Sequence, residues 1–165
     1  MSDAALIELV SRILSRDHEV VEQAVQPLAE PHHTVSNAAE RLLTGRLAEE
    51  YFLNHSADLV GIACSEVLDQ RDAACGFDFG VRSDAGIGIE VKGLKALVGS
   101  ILFTDREWRE ASVRKENYWL VVVGNVGRTP RARVVRDPQA TLPASCRYQR
   151  TIAAQWVAPF TVETS

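Results

Sequence analysis

Asp78, Glu90 and Lys92 are the residues of this chain whose types and spacing could do chemistry. Two carboxylates brought side by side suit a hard divalent cation such as Mg2+, which takes one or two of them and leaves its other positions to water or phosphate. Such an ion polarises a phosphodiester and acidifies a bound water, while a nearby ammonium orients that water and offsets developing charge. Phosphodiester hydrolysis is the chemistry this set would do. The plain structural alternative is a surface hairpin with an Asp/Lys/Glu salt bridge, worth about 0–1 kcal/mol. Spacing alone leaves both readings open.

Positioning these groups requires a rigid scaffold, and the stretch Gly76 to Gly93 supplies one. Two alternating apolar and polar runs flank Ser83, Asp84, Ala85 and Gly86, residues with turn chemistry, so the local expectation is a β-hairpin. Phe77, Phe79, Ile89 and Val91 fall on one face, and Asp78, Glu90 and Lys92 on the other. A three-residue loop at Ser83–Ala85 pairs Arg82 with Gly86 and, counting outward, Asp78 with Glu90. A slip of one residue would separate the charges.

The preceding segment reads as a helix. It starts at a capping-box-like Asn37-Ala-Ala-Glu40 and continues through Leu42, Leu43, Leu47, Tyr51, Phe52 and Leu53. Glu49 lies on the apolar stripe, between Phe52 and Leu53 on the wheel. It is either an amphipathic rim residue or a ligand, because burying it requires a partner. Residues 59–67 read as a strand. After Gly93, 94–100 read as a loop, 101–103 as a short strand, and a helix begins at Thr104. Tyr118-Trp-Leu-Val-Val-Val123 is a short run rich in β-branched and aromatic residues, hence a buried central strand. Strand, helix and strand make a βαβ crossover and place the fold in the α/β or α+β class. Arg128 to Val135 reads as a basic edge strand, and Ile152 to Val157, followed by Pro159, as a last strand. Near the start, Asp3 to Gln26 has helical spacing closed by Pro27, and Pro27 to Thr34, with His32 and His33, reads as a connector. The expected division is a helical extension over 1–34 and one domain over 35–165.

The chain has 165 residues, 46% of them apolar. That supports a core and contains no uninterrupted apolar run able to cross a bilayer. The first residues, Met1-Ser-Asp-Ala-Ala5, are not a basic leader ahead of an apolar stretch, so a cytoplasmic location is expected. Cys64, Cys75 and Cys146 form no CxxC, and His18, His32, His33 and His55 have no metal-ligand spacing. The net charge of -4 is unevenly spread. Up to Val91 there are 6 basic and 16 acidic residues; from Lys92 to Arg150 there are 12 and 5. A basic half on an acidic protein is either a solvated face or the footprint of a polyanion partner.

Four stretches in this order carry a resemblance: Gly76-Phe-Asp-Phe79, Ile89-Glu-Val-Lys-Gly93, Phe103-Thr-x-x-Glu-Trp-x-x-Ala111 and Tyr118 to Val123. Together they resemble the C-terminal domain of protein NO VEIN, a family of the PD-(D/E)xK restriction-endonuclease-like superfamily. Gly45-x-x-Ala-Glu49 is similar to the helix that precedes the hairpin in that group. The likeness covers about Gly45 to Val126. It implies a central mixed sheet flanked by helices and a metal-dependent nuclease site in a restriction or genome-defence setting. Asp78 and Glu90 would bind Mg2+, or Mn2+ in its place, Lys92 would assist the attacking water, and Glu49 would reach the metal directly or through water. Phe77 stands where the superfamily's name has a proline.

The basic half then gains a role. Lys95, Arg106, Arg109, Arg114 and Lys115 would hold nucleic-acid phosphates, with Arg131, Arg133 and Arg136 extending the track, bringing affinity rather than sequence choice. Some of these arginines would instead pair with Glu107, Glu110 and Glu116. DNA is the expected partner, with a homodimer or a larger defence complex as the assembly. The alternative is a catalytically silent nucleic-acid-binding or assembly module.

Overall fold

The apolar run from Tyr118 becomes the strand around which the other elements are laid. In the computed structural model, which describes residues 33–148 and 154–162, all seven residues of Tyr118–Gly124 are buried. A strand apolar on both sides must be covered on both sides, and the element order provides this. The elements are α1 (His33–Val60), β1 (Val67–Asp69), β2 (Phe79–Val81), β3 (Asp84–Gly93), β4 (Val98–Thr104), α2 (Asp105–Arg114), β5 (Tyr118–Gly124), β6 (Arg131–Arg136), α3 (Pro138–Thr141), β7 (Ser145–Tyr148) and β8 (Ala154–Thr161). Five strands form a mixed sheet in the order β1-β2-β3-β5-β6, with β3 and β5 parallel and the other neighbours antiparallel. A three-stranded sheet has the order β4-β8-β7.

Two apolar clusters lie on opposite faces of the five-stranded sheet, within the compact unit Leu47–Ser165. On one face Ala48 and Phe52 of α1 pack with Phe79, Val81, Ile89, Val91, Trp119, Val121 and Val123. On the other, Leu120, Val122 and Val135 meet Trp108 of α2 and Ile101, Phe103, Ala158 and Phe160 of the small sheet. Along β5 the odd residues serve the first cluster and the even ones the second, as strand alternation requires. Of the unit Met1–Arg46, only the segment from His33 is described. There Thr44 Oγ1 donates to the Glu40 carbonyl at 2.7 Å. The helical reading of residues 3–26 falls outside the described residues.

Several local expectations change. α1 already includes His33 and Thr34, so Asn37 is interior rather than a cap. The strand expected over 59–67 is instead the end of α1, a 3-10 turn at Cys64–Glu66 and a three-residue strand. Gly61, at φ +73°, ends the helix by donating to the Ala57 carbonyl at 3.0 Å, a left-handed stop that any other residue would meet with strain. The expected loop over 94–100 gives way partway to β4, whose Ile101 and Phe103 turn inward while Val98 and Leu102 face out. β4 does not share a sheet with β5. The parallel crossover runs from β3 to β5, and β4 leaves it to pair with β8 over Val98–Thr104. β8 in turn runs through Pro159 to Thr161, not to Val157. Pro159 pairs with Ser100 beyond the end of β7, where β8 has a neighbour on one side alone.

Candidate active site

The hairpin keeps the expected register where the charges lie and departs from it at the turn. Phe79 pairs with Ile89 and Gly80 with Gly88, which sets Asp78 beside Glu90; the Asp78 amide donates to the Ile89 carbonyl at 3.0 Å. Val81, however, pairs with Asp84, so the loop is Arg82-Ser83 and Ala85–Ile87 bulge out. The bulge leaves carbonyls without ladder partners, and Arg114 supplies them. Its Nη1 donates to the Gly86 carbonyl at 2.6 Å and to that of Ala85 at 3.2 Å, while Asp84 Oδ1 accepts from the Gly86 amide at 2.8 Å. Arg114 also stands 4.4 Å over the Phe77 ring. Phe77 thus packs against Gly88 and Arg114 instead of joining Phe79 in the core. A Cβ on Gly88 would lie 2.9 Å from the Phe77 ring.

Glu90 is 2% exposed, on the sheet face covered by α2. Lys92, two residues on and therefore on the same face, places Nζ 2.5 Å from Glu90 Oε1 and 2.8 Å from Glu107 Oε2. Across the edge of the sheet, Asp78 Oδ2 accepts from the Val91 amide at 2.9 Å. Asp78, Glu90 and Glu107 line a cleft of about 340 Å³, together with Arg71, Phe77 and Arg106. Its outer wall is the loop after β1. Tyr118 Oη, fully buried, donates to the Gly76 carbonyl at 3.0 Å, and Arg106 donates to the Ala74 carbonyl.

Burial governs the electrostatics. It pushes the Asp78 carboxyl from 3.8 up to about 6, with Glu49 and Glu107 adding to the rise and the Val91 amide and Lys92 opposing it. Burial likewise raises Glu90 well above the carboxylate range, against the pull of Lys92 and with the push of Asp78 and Glu107. For Lys92 burial disfavours the charge, but Glu90 and Glu107 outweigh it and hold the ammonium above its ordinary pKa. The site is therefore a buried set of carboxylates held partly in check by one lysine.

Glu49 projects from α1 to the same end of the sheet and meets Arg71 rather than Asp78. Arg71 Nη1 stands 2.5 Å from Glu49 Oε2, and the same guanidinium grips Asp69 through Nε and Nη2 and lies over the Phe79 ring. The Asp69 hydrogen bond is the main cause that raises the Arg71 pKa, although burial opposes it. Among the described residues no group of three or more His, Cys, Asp or Glu side chains is arranged to hold a metal ion. Asp78 and Glu90 nevertheless offer the one or two carboxylates that Mg2+ requires, and their resistance to ionising is what a divalent cation would relieve.

The basic candidates part company. Arg106 lines the cleft. Arg109 is exposed and pairs with Asp105 at 2.9 Å, and Lys95 and Lys115 are exposed. Arg114 is committed to the bulge and to Glu110. On β6, Arg133 stands in line with Val122 and Lys92 across the sheet, two strands from the lysine, and donates to the Thr161 carbonyl at 3.1 Å. Arg131 is exposed on the same face, while Arg136 stacks on Trp119. Glu107 pairs with Lys92 and with none of the arginines in the hydrogen bonds described. Sequence reasoning missed Glu107, Arg71 and Tyr118 as parts of the site. Thr104-x-x-Glu107 carried a capping-box signal, but nothing local pointed to its second partner.

A model of one protein family, protein NO VEIN, C-terminal, matches residues 46–135. The chain belongs to this family. The NO VEIN C-terminal match takes in the end of α1, the hairpin, α2, β5 and nearly all of β6, and so every residue of the cleft named above. No curated protein and no solved structure matches the chain. No helix among the described residues is long and apolar enough to cross a membrane.

Proposed function

We propose that this NO VEIN C-terminal domain is a Mg2+-dependent nuclease of the restriction-endonuclease-like type, acting on DNA in a restriction or genome-defence setting. The observation that carries the reading is the meeting of Asp78 and Glu90 at one cleft, with Lys92 paired to Glu90 beside it. A mixed sheet covered by helices on both faces is consistent with the superfamily. Asp78 and Glu90 would hold the cation, with Glu49 joining through water once Arg71 releases it. When bound, Mg2+ supplies Lewis-acid polarisation of the scissile phosphodiester and acidifies a water.

The chain's own residues do the rest. Burial keeps bulk water from Glu90, so the field between Glu90 and Lys92 is weakly screened. Lys92 holds a proton firmly, which suits it to donate hydrogen bonds to the attacking water and to the developing charge, not to act as a base. Arg106, exposed at the cleft, and Arg71 on its wall are placed to receive a phosphate. Lys95 and Arg131, exposed, would add affinity that falls with salt.

The test is cleavage of plasmid, linear and single-stranded DNA and of RNA with Mg2+ or Mn2+, beside Asp78→Ala and Lys92→Ala. The expected result is metal-dependent cutting lost in both variants. Equal cutting by all three proteins would overturn the site, and binding without cutting would favour the silent-module alternative.

A further inference from the structure

We infer that Glu107 is a positioning residue for Lys92, holding the ammonium between β3 and the first turn of α2 and sharing it with Glu90. The inference rests on the nuclease reading above and adds to it a residue from a different element. Glu107 Oε2 takes two donors at once, the Thr104 amide at 3.0 Å and Lys92 Nζ at 2.8 Å, while the Glu107 amide donates to Thr104 Oγ1 at 3.2 Å. The capping box fixes the carboxylate rigidly relative to the helix start. That fixed oxygen in turn fixes the end of the lysine.

A lysine carries four flexible carbons and about 2 kcal/mol of rotamer entropy. One partner two residues away on the same strand leaves that chain free to swing. A second acceptor on another element, with the Phe103 ring 5.6 Å from Nζ, leaves one position. An ammonium has three donors. Glu90 and Glu107 take two, and the third is what Lys92 has left for a water or a phosphate oxygen. Sharing Lys92 also leaves Glu90 less fully neutralised, and so a better cation ligand, than a private ion pair would.

The experiment compares Glu107→Gln, Glu107→Ala and Asp105→Asn with the wild type. Asp105→Asn weakens the same helix start, by removing an acidic residue of the first turn and its pair with Arg109, without touching Lys92. Two readouts are taken: kcat and KM for the nucleic acid cut in the cleavage assay, and the side-chain ammonium signal of Lys92 in 1H–15N NMR spectra. The expected result for Glu107→Ala is a kcat lower by about 10- to 100-fold with little change in KM, and loss of the Lys92 signal. Glu107→Gln, which keeps an oxygen acceptor but no charge, falls between; it also serves if the alanine variant does not fold. Asp105→Asn lowers the melting temperature and retains both kcat and the signal.

An unchanged Lys92 signal in both Glu107 variants overturns the inference, as does a loss of kcat in Asp105→Asn equal to that in Glu107→Ala. A wild type that cuts nothing overturns the nuclease reading separately. In that case loss of the Lys92 signal in Glu107→Ala still supports Glu107 as the lysine's anchor.

Discussion

Replacing Asp78 by asparagine should make the metal-free protein more stable at about pH 8. The Asp78 carboxyl ionises near 3.8 when unfolded and at about 6 in the fold. Between those values the folded state retains a proton that the unfolded state has lost, so stability falls as pH rises through the window and is level above it. At 1.36 kcal/mol per tenfold, the ionised carboxylate costs the fold about 3 kcal/mol. Asparagine avoids the charge and keeps an oxygen for the Val91 amide, which Asp78 Oδ2 accepts at 2.9 Å. Urea unfolding followed by tryptophan fluorescence, with EDTA at about pH 8, should place the variant's midpoint higher by about 1.5 M at an m-value of about 2 kcal/mol/M. Excess MgCl2 should bring the two nearly level. At 100 times its dissociation constant a cation that binds only the fold adds about 2.7 kcal/mol, and it should add this to the wild type and not to the variant. An asparagine variant less stable than wild type in EDTA, or equally stabilised by MgCl2, would refute the argument.

Two further outcomes test the surroundings of the site. Arg71→Gln removes an ion-pair partner shared by Glu49 and Asp69 and should lower metal-free stability by about 1–3 kcal/mol, with MgCl2 restoring more of it than in the wild type; a thermal-shift series across MgCl2 concentrations measures this. Gly76→Ala adds a Cβ 2.5 Å from Glu110 Cγ at a φ of +93°. It should destabilise by about 1–3 kcal/mol and displace the cleft's outer loop, seen as faster amide exchange over residues 71–77.

Elements announced by a local sequence pattern were legible in the sequence. The Tyr118–Gly124 strand, the Thr104 helix cap and the face-sharing of Asp78, Glu90 and Lys92 follow from alternation and capping chemistry. They hold because the period-2 pattern rules out a one-residue slip, and the pairing of Phe79 with Ile89 keeps the apolar side buried. The hairpin's turn was not legible, because its bulge is stabilised by Arg114, 28 residues from Gly86 in sequence. β4 was misplaced for the same reason: its partner, β8, lies beyond β7, and no local pattern names a strand's partner. The expected helical extension over residues 1–34 lies mostly outside what is described.

Sequence by itself determined which groups are chemically able and that Glu90 and Lys92 share a face, because side-chain direction along a strand is set by covalent geometry, whereas the place of Asp78 beside them depended on the pairing register. Only the tertiary structure decided their company. Lys92 is held by a carboxylate from α2 as well as by its neighbour on β3, and Glu49 arrives from α1 already gripped by Arg71. Asp78 and Glu90 resist ionising because helices and loops distant in sequence exclude water from them. Charge and burial at a point are sums over everything packed around it, and those sums exist only once the chain has folded.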